Sequence, residues 1–246
     1  MREVWRMWHY STMVVLTVLT AGLFAAILIP FKGIPLIPGI TELRPANVIP
    51  VVFGLLFGPA GAWGAALGNL LGDFFGTLGP GSLFGFFGNF LSAYLPYKMW
   101  RDRPLGLLPR HLGRFVLAVL LGASGCALAV GFGLEALRLL PFGVIALAVL
   151  VNNAVVPLLL GPFLLRLLGP RVSRWNLYWL ELMDPDDCRP GPAPRLGLAL
   201  AWLGAGGGLL TGLALGFGAL TLPDGPSLTL VLAPFLALLL LGCVLL

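Results

Sequence analysis

The asparagines Asn47, Asn69, Asn89, Asn152 and Asn153 and the acid Asp73 interrupt stretches of sequence that are otherwise apolar. Asn69 and Asp73 are four residues apart, as are Gly85 and Asn89, so on a helix each pair stacks along one face. An amide holds a polar solute by donating and accepting at once. An ionisable group in apolar surroundings is costly and usually faces a cavity or a partner. Beside them runs a glycine row, Gly64, Gly68, Gly72 and Gly76, at the same spacing. Tight helix packing with amide hydrogen bonds explains those glycines well and explains Asp73 less well. The chemistry indicated is non-covalent recognition of a small polar molecule.

Little else in the chain could do chemistry. Cys126, Cys188 and Cys243 are far apart and form no ligand pattern, and His9 and His111 sit beside basic or interfacial residues. No HExxH, GxSxG, Walker lysine loop or paired Cys-x-x-Cys occurs. Asp184, Asp186 and Asp187 cluster in a proline-rich stretch that reads as a solvated turn. No metal, cofactor, nucleic-acid partner or enzymatic activity is therefore expected. An enzyme would need Asp73 to work with Glu135 or Glu42, and nothing in the sequence joins them.

The elements that hold these residues follow from hydropathy. The chain is 59% hydrophobic and 10% charged, with mean hydropathy +0.98, a balance that cannot present a water-soluble surface. Apolar runs cover about 11–30, 46–58, 60–76, 81–97, 115–134, 142–165, 196–218 and 228–246, broken by Pro59, Gly79-Pro80, Pro141, Gly169-Pro170 and Pro223 to Pro226. Runs of this kind span membranes as helices. The first reads as a retained span rather than a cleaved signal peptide. The fold class is an all-α polytopic membrane protein of about eight transmembrane helices.

Residues 46–76 could form one helix kinked at Pro59 or two helices joined at Gly58-Pro59. Arginine and lysine decide, because they gather in the first ten residues, at 98–114 and at 166–195. Two helices put all three basic patches on one side, in keeping with the positive-inside rule. Only Lys32, Arg44 and Arg138 then fall on the other. Both termini are expected in the cytoplasm. The short 46–58 helix must be shielded by neighbours or face a cavity.

With these directions, Asn47, Asn69, Asp73, Asn89, Asn152 and Asn153 all lie between the midplane and the outer surface, and Glu42 and Arg44 lie just before Asn47. That describes an outward-facing cup, with Trp63, Phe75 or Phe87 available to stack on a ring. In 172–183, Val172, Trp175, Trp179 and Leu182 recur at helical spacing, which fits an amphipathic interfacial helix or a structured loop with belt aromatics. The chain is expected to divide into a six-helix membrane core (1–170), a cytoplasmic interfacial helix and linker (171–195) and a two-helix membrane extension (196–246).

The stretch TELRPANVIPVVFGLLFGPAGAWGAALGNLLGDFFG (41–76), with LAVLVNNAVVPLLLGPFLLRLLG (147–169), resembles the substrate-binding S components of energy-coupling factor (ECF) vitamin transporters. The resemblance covers about 10–170. It implies six helices in a prokaryotic cell membrane and a pocket open outward for a vitamin or related micronutrient. Queuosine precursors, riboflavin, pantothenate and thiamine-like compounds are all candidates. It also implies a lid from the loop after the first span, placing Glu42, Arg44 and Asn47 at lid and rim. A small-residue face of the first helix, here Ala21 and Ala25 with Gly22 and Ala26, would dock on a membrane-embedded T subunit driven by two ATPases. The two extra spans depart from the family pattern. They leave a self-sufficient carrier or a lipid-handling protein of the same fold as the alternative.

Overall fold

The computed structural model describes residues 1–32, 34–37, 41–42, 44–76, 78–100, 111–221 and 227–246. Each apolar run is a helix. A short α1 (Arg2–Arg6) precedes α2 (Ser11–Phe31), α3 (Val48–Phe57), α4 (Pro59–Asp73), α5 (Gly81–Met99), α6 (Leu112–Ala136) and α7 (Phe142–Arg174). After a single turn, α8 (Trp179–Leu182), come α9 (Pro194–Trp202) and α10 (Gly208–Gly216), continuous through a π-helical turn at Leu203–Gly207, and then α11 (Leu228–Leu245). A small antiparallel ribbon, β1 (Pro35–Ile37) with β2 (Thr41–Glu42), lies between α2 and α3. The chain is an all-α polytopic membrane protein.

Among the described residues, α2, α6, α7, the α9–α10 helix and α11 are long and apolar enough to cross a membrane by length and composition. The helices α3, α4 and α5 fall short. With ten and fifteen residues α3 and α4 are short, and in α4 and α5 glycines, asparagines and Asp73 lower the hydropathy. Every residue of α3 is buried, so neighbouring helices supply the shielding its length requires.

The break at 58–59 separates α3 from α4. Gly58 has φ +55 and the indole of Trp179 lies against it, 2.5 Å from where a Cβ would be. Only a residue without a Cβ avoids both the left-handed strain and that clash. The contact pairs fix the helix directions. Gly64 meets Thr17 and Thr20, Gly68 meets Ala21 and Phe24, and Gly72 meets Leu28, so α2 and α4 run parallel. Gly85 meets Asn69, Gly88 meets Cys126 and Val130, and Gly131 meets Phe142, so α4, α5, α6 and α7 alternate. Gly143 meets Gly216 and Gly204 meets Phe235 and Leu239, which continues the alternation through α10 and α11. The last helices thus pack on α6 and α7, and both chain ends lie on one face of the bundle.

The glycine row works as its spacing predicts at Gly64, Gly68 and Gly72, where added Cβ atoms would come within 2.4–2.8 Å of α2. Gly76 is not part of it: it has φ +116, beyond the end of α4, with nothing within 4 Å. Gly68→Leu is expected to destabilise the protein by about 1–3 kcal/mol or more, because overpacking forces two backbones apart. An unchanged melting temperature would contradict this packing.

The region after the sixth span differs from expectation. The Gly169-Pro170 pair does not end α7. A proline removes one backbone donor, and Leu165, Gly169 and Val172 keep this stretch seated on the bundle. No continuous helix spans 172–183. Asn176 has φ +52 and turns the chain, leaving Trp175 exposed while Trp179 is fully buried against Gly58 and Tyr97. The two tryptophans therefore do not share one lipid-facing stripe.

Candidate functional site

Close contact of α4 with α2 and α5 turns the row next to the glycines inward. Asn69 and Asp73 project from it toward α5, where Gly85 has no side chain to block them: a Cβ there would sit 2.9 Å from Asn69 Nδ2. One turn along α5, Asn89 donates to the Gly85 carbonyl at 2.9 Å. From α7, Asn153 donates to the Val149 carbonyl at 2.9 Å and accepts from the Ser92 hydroxyl at 3.4 Å. Asn152 lies beside it, and Arg44 and Asn47 enter from the turn that leads into α3.

These side chains line one cavity of about 280 Å³, together with Ser82, Cys126 and an apolar wall that includes Val130, Leu134, Ile145 and Val149. Arg44, Asn47, Asn69, Asp73, Asn89, Asn152 and Asn153, drawn from four segments of chain, are thus brought together. Glu42 sits on β2, and its side chain lies outside the described residues. The aromatic residues expected to stack on a ring are elsewhere. Trp63 and Phe87 belong to a second, apolar crevice, and Phe75 is exposed. Glu135 is engaged at the start of α7, accepting from the Phe142 backbone N–H at 2.6 Å.

Among the described residues, Asp73, Lys32 and Arg44 bring charge to the cavity. Asp73 accepts from Asn69 Nδ2 at 3.3 Å and lies 3.9 Å from Lys32 Nζ, with both side chains of the ion pair largely buried. Arg44 adds a second positive charge. Arg44 Nε and Asn69 Oδ1 are buried with no hydrogen-bond partner among the described residues. A buried polar atom left in that state costs about 1–3 kcal/mol, so both atoms are sites where a polar guest gains more than it would at the surface.

Lys32 and Ser82 were not singled out by the sequence. Lys32 carried a usable signal, since an intramembrane acid needs a nearby cation and only Lys32, Arg44 and Arg138 lie on the side of Asp73. Ser82 carried none. The small-residue face of α2 is divided by the packing. Ala21 and Ala25 are buried, Ala21 against Gly68 of α4, whereas Gly22 and Ala26 are exposed beside Val15, Val18 and Leu19. Ala21 and Ala25 therefore pack within the bundle, and Gly22 and Ala26 are the part of this face left open. A hundred-degree step between neighbours is enough to put adjacent small residues on opposite surfaces.

No curated protein and no solved structure matches the chain. The QueT transporter family matches residues 14–170, the segment that contains every described residue of the cavity. With well over half of its length so matched, the chain belongs to the QueT transporter family of ECF-type S components, membrane subunits that take up a small solute.

Proposed function

We propose that the cavity is the solute site and that the solute is a small polar heterocycle of the queuosine-precursor class. The observation that carries the reading is the asparagine-rich lining, Asn47, Asn69, Asn89, Asn152 and Asn153, around an Asp73–Lys32 pair and Arg44. Amides present donors and acceptors together, which matches the alternating edge of a nitrogen heterocycle. The volume of about 280 Å³ is at the low end for small-molecule pockets and suits a bicyclic ring better than a flavin. Glu42 and Arg44 act at the rim. Native mass spectrometry of the gently solubilised chain, incubated with a mixture of deazapurine bases, riboflavin, pantothenate and thiamine, tests this. Selective retention of a deazapurine supports it, and retention of another compound or of none overturns it.

Uptake is energised by a membrane-embedded T subunit and two ATPases, which dock on the exposed strip of α2 around Gly22 and Ala26. Gly22→Trp is expected to abolish co-purification with such a module while leaving solute affinity within about twofold, because a Cβ at Gly22 meets nothing within the chain. A complex that survives Gly22→Trp would remove this strip from the interface. The protein lies in a prokaryotic cell membrane with both termini cytoplasmic, a sidedness supported by the basic patches. A cysteine at position 114 is expected to react only with membrane-permeant reagents, and labelling from outside would reverse the orientation. Residues 1–170 form the S-component core, 171–195 link it to the extension, and 196–246 are an added layer. The family match ending at 170 supports that division.

A further inference from the structure

Beside the polar cavity, and separated from it by α5, lies a crevice of about 420 Å³ lined almost wholly by apolar atoms. Trp63, Phe86 and Phe90 form one wall, Leu236 and Leu240 of α11 the other, and Phe87 and Leu91 the floor. The first wall is rigid: Trp63 packs edge-on against Phe90 at 5.2 Å, and its indole N–H donates to the Val4 carbonyl at 2.9 Å, which pins α1 to α4. The opposite wall is held where the Tyr94 hydroxyl donates to the Cys243 carbonyl at 2.7 Å.

Length and volume identify the guest. Along α5 the crevice extends from Phe84 to Tyr94, about 15 Å at 1.5 Å per residue. That is about half of a hydrocarbon core roughly 30 Å thick, and because it is centred on the middle of α5 it is reached by one long tail that passes the midplane. A 15 Å length of helix about 10 Å across would fill roughly 1,200 Å³, nearly three times the space present, whereas a single extended chain is slender enough. Its lining continues past Tyr94 to Met1 and to Val4 and Trp5 of α1, at the end where the chain termini meet. Arg2 and Arg6 stand on the adjacent row of that helix, 60% and 51% exposed, and share Asp187 at 3.4 and 3.9 Å. A guanidinium has five donors, so each keeps several for another anion. Exposed Trp5 and Trp8 beside them mark the level of lipid headgroups.

We infer that this crevice is a binding site for one anionic phospholipid of the leaflet on the N-terminal side, an acyl chain lying between α5 and α11 and the phosphate held by Arg2 and Arg6. The site is distinct from the proposed solute cavity and does not depend on that reading. Because α11 supplies one wall, it gives the added C-terminal helices a definite task.

The full-length chain, reconstituted in nanodiscs of equimolar phosphatidylglycerol and phosphatidylcholine with identical acyl chains and then transferred to detergent, is examined by native mass spectrometry. One retained phosphatidylglycerol is expected, in clear preference to phosphatidylcholine. Leu240→Trp, which narrows the crevice from an exposed position, should remove the adduct. Arg2→Gln with Arg6→Gln should lower the preference by about twenty-fivefold, from about fivefold for each cation near a charged membrane surface. A photo-crosslinking residue at 240 in the otherwise unchanged chain should capture lipid, which keeps the test decisive if Leu240→Trp does not fold. Equal retention of both lipids by the unchanged chain overturns the inference. So does an adduct that survives Leu240→Trp, or a crosslink from 240 to a partner's transmembrane helix instead of lipid.

Discussion

Lys98→Met is expected to destabilise the protein by about 3–5 kcal/mol, the penalty for leaving one member of a buried ion pair without its counter-charge. The Lys98 ammonium lies 2.6 Å from the Glu3 carboxylate, with each side chain 1% exposed. Lys98 also donates to the Leu246 carbonyl at 2.8 Å, and the Tyr97 hydroxyl donates to Glu3 at 3.4 Å. One lysine thus joins α1, α5 and the end of α11. Burial disfavours the charged Glu3 carboxyl, but the charge and hydrogen bond of Lys98 outweigh it and hold Glu3 below its ordinary value of 4.5. A depressed carboxylate stabilises the fold above its unfolded pKa, and that contribution is lost as pH falls through the lower, folded value. In Lys98→Met burial, which favours the neutral acid, is opposed chiefly by the Met1 ammonium at 3.3 Å. The penalty should then be full at neutral pH and shrink as pH approaches 4.5. The double replacement Glu3→Leu with Lys98→Met should recover most of the loss, since apolar pairs replace buried ion pairs at little cost. Thermal melts in detergent across pH decide the matter. A Lys98→Met protein as stable as its parent at pH 7 would show that the pair contributes nothing.

Asp73→Asn is expected to weaken solute binding by roughly tenfold to a hundredfold, the value of one charge-assisted hydrogen bond at about 1.5–3 kcal/mol. The same substitution removes the negative charge 3.9 Å from Lys32, so the cavity changes from one net positive charge to two among its described ionisable groups. A cationic solute would be repelled and an anionic one drawn in, and the sign of the change reports the charge of the natural solute. Asn89→Ala should cost about tenfold or less, because a neutral bond is worth about 1 kcal/mol and Asn89 already spends a donor on Gly85. Isothermal titration with both variants folded separates these outcomes. Full affinity in both would make the cluster an element of helix packing.

The division of the small-residue face of α2 follows from the same geometry that builds the cavity. Small residues at 21, 22, 25 and 26 can serve either a partner or α4, and periodicity alone does not say which side of the helix meets the bundle. Gly64, Gly68 and Gly72 decide, since their lack of side chains draws the Ala21 and Phe24 edge of α2 onto α4. That contact leaves Gly22 and Ala26 outside. Similarly, the spacing of Trp175 and Trp179 fitted one amphipathic helix, but the left-handed turn at Asn176 and the empty space over Gly58 placed Trp179 in the interior.

The class, the helices and their alternating directions were legible in the sequence alone. These rest on local hydropathy, on the distribution of arginine and lysine, and on the fixed rise of a helix, none of which needs knowledge of neighbours. The sequence also marked the cavity residues, because a polar side chain in an apolar run is conspicuous wherever it points. Only the tertiary structure decided which faces meet: that Asp73 pairs with Lys32, that Glu135 engages the start of α7, that Trp63 and Phe87 line an apolar crevice rather than the polar cavity, and that Glu3 and Lys98 are a buried pair 95 positions apart. Rotation about a helix axis and contact between distant segments are set by how all the surfaces pack at once, and a linear pattern carries that information for one helix at a time.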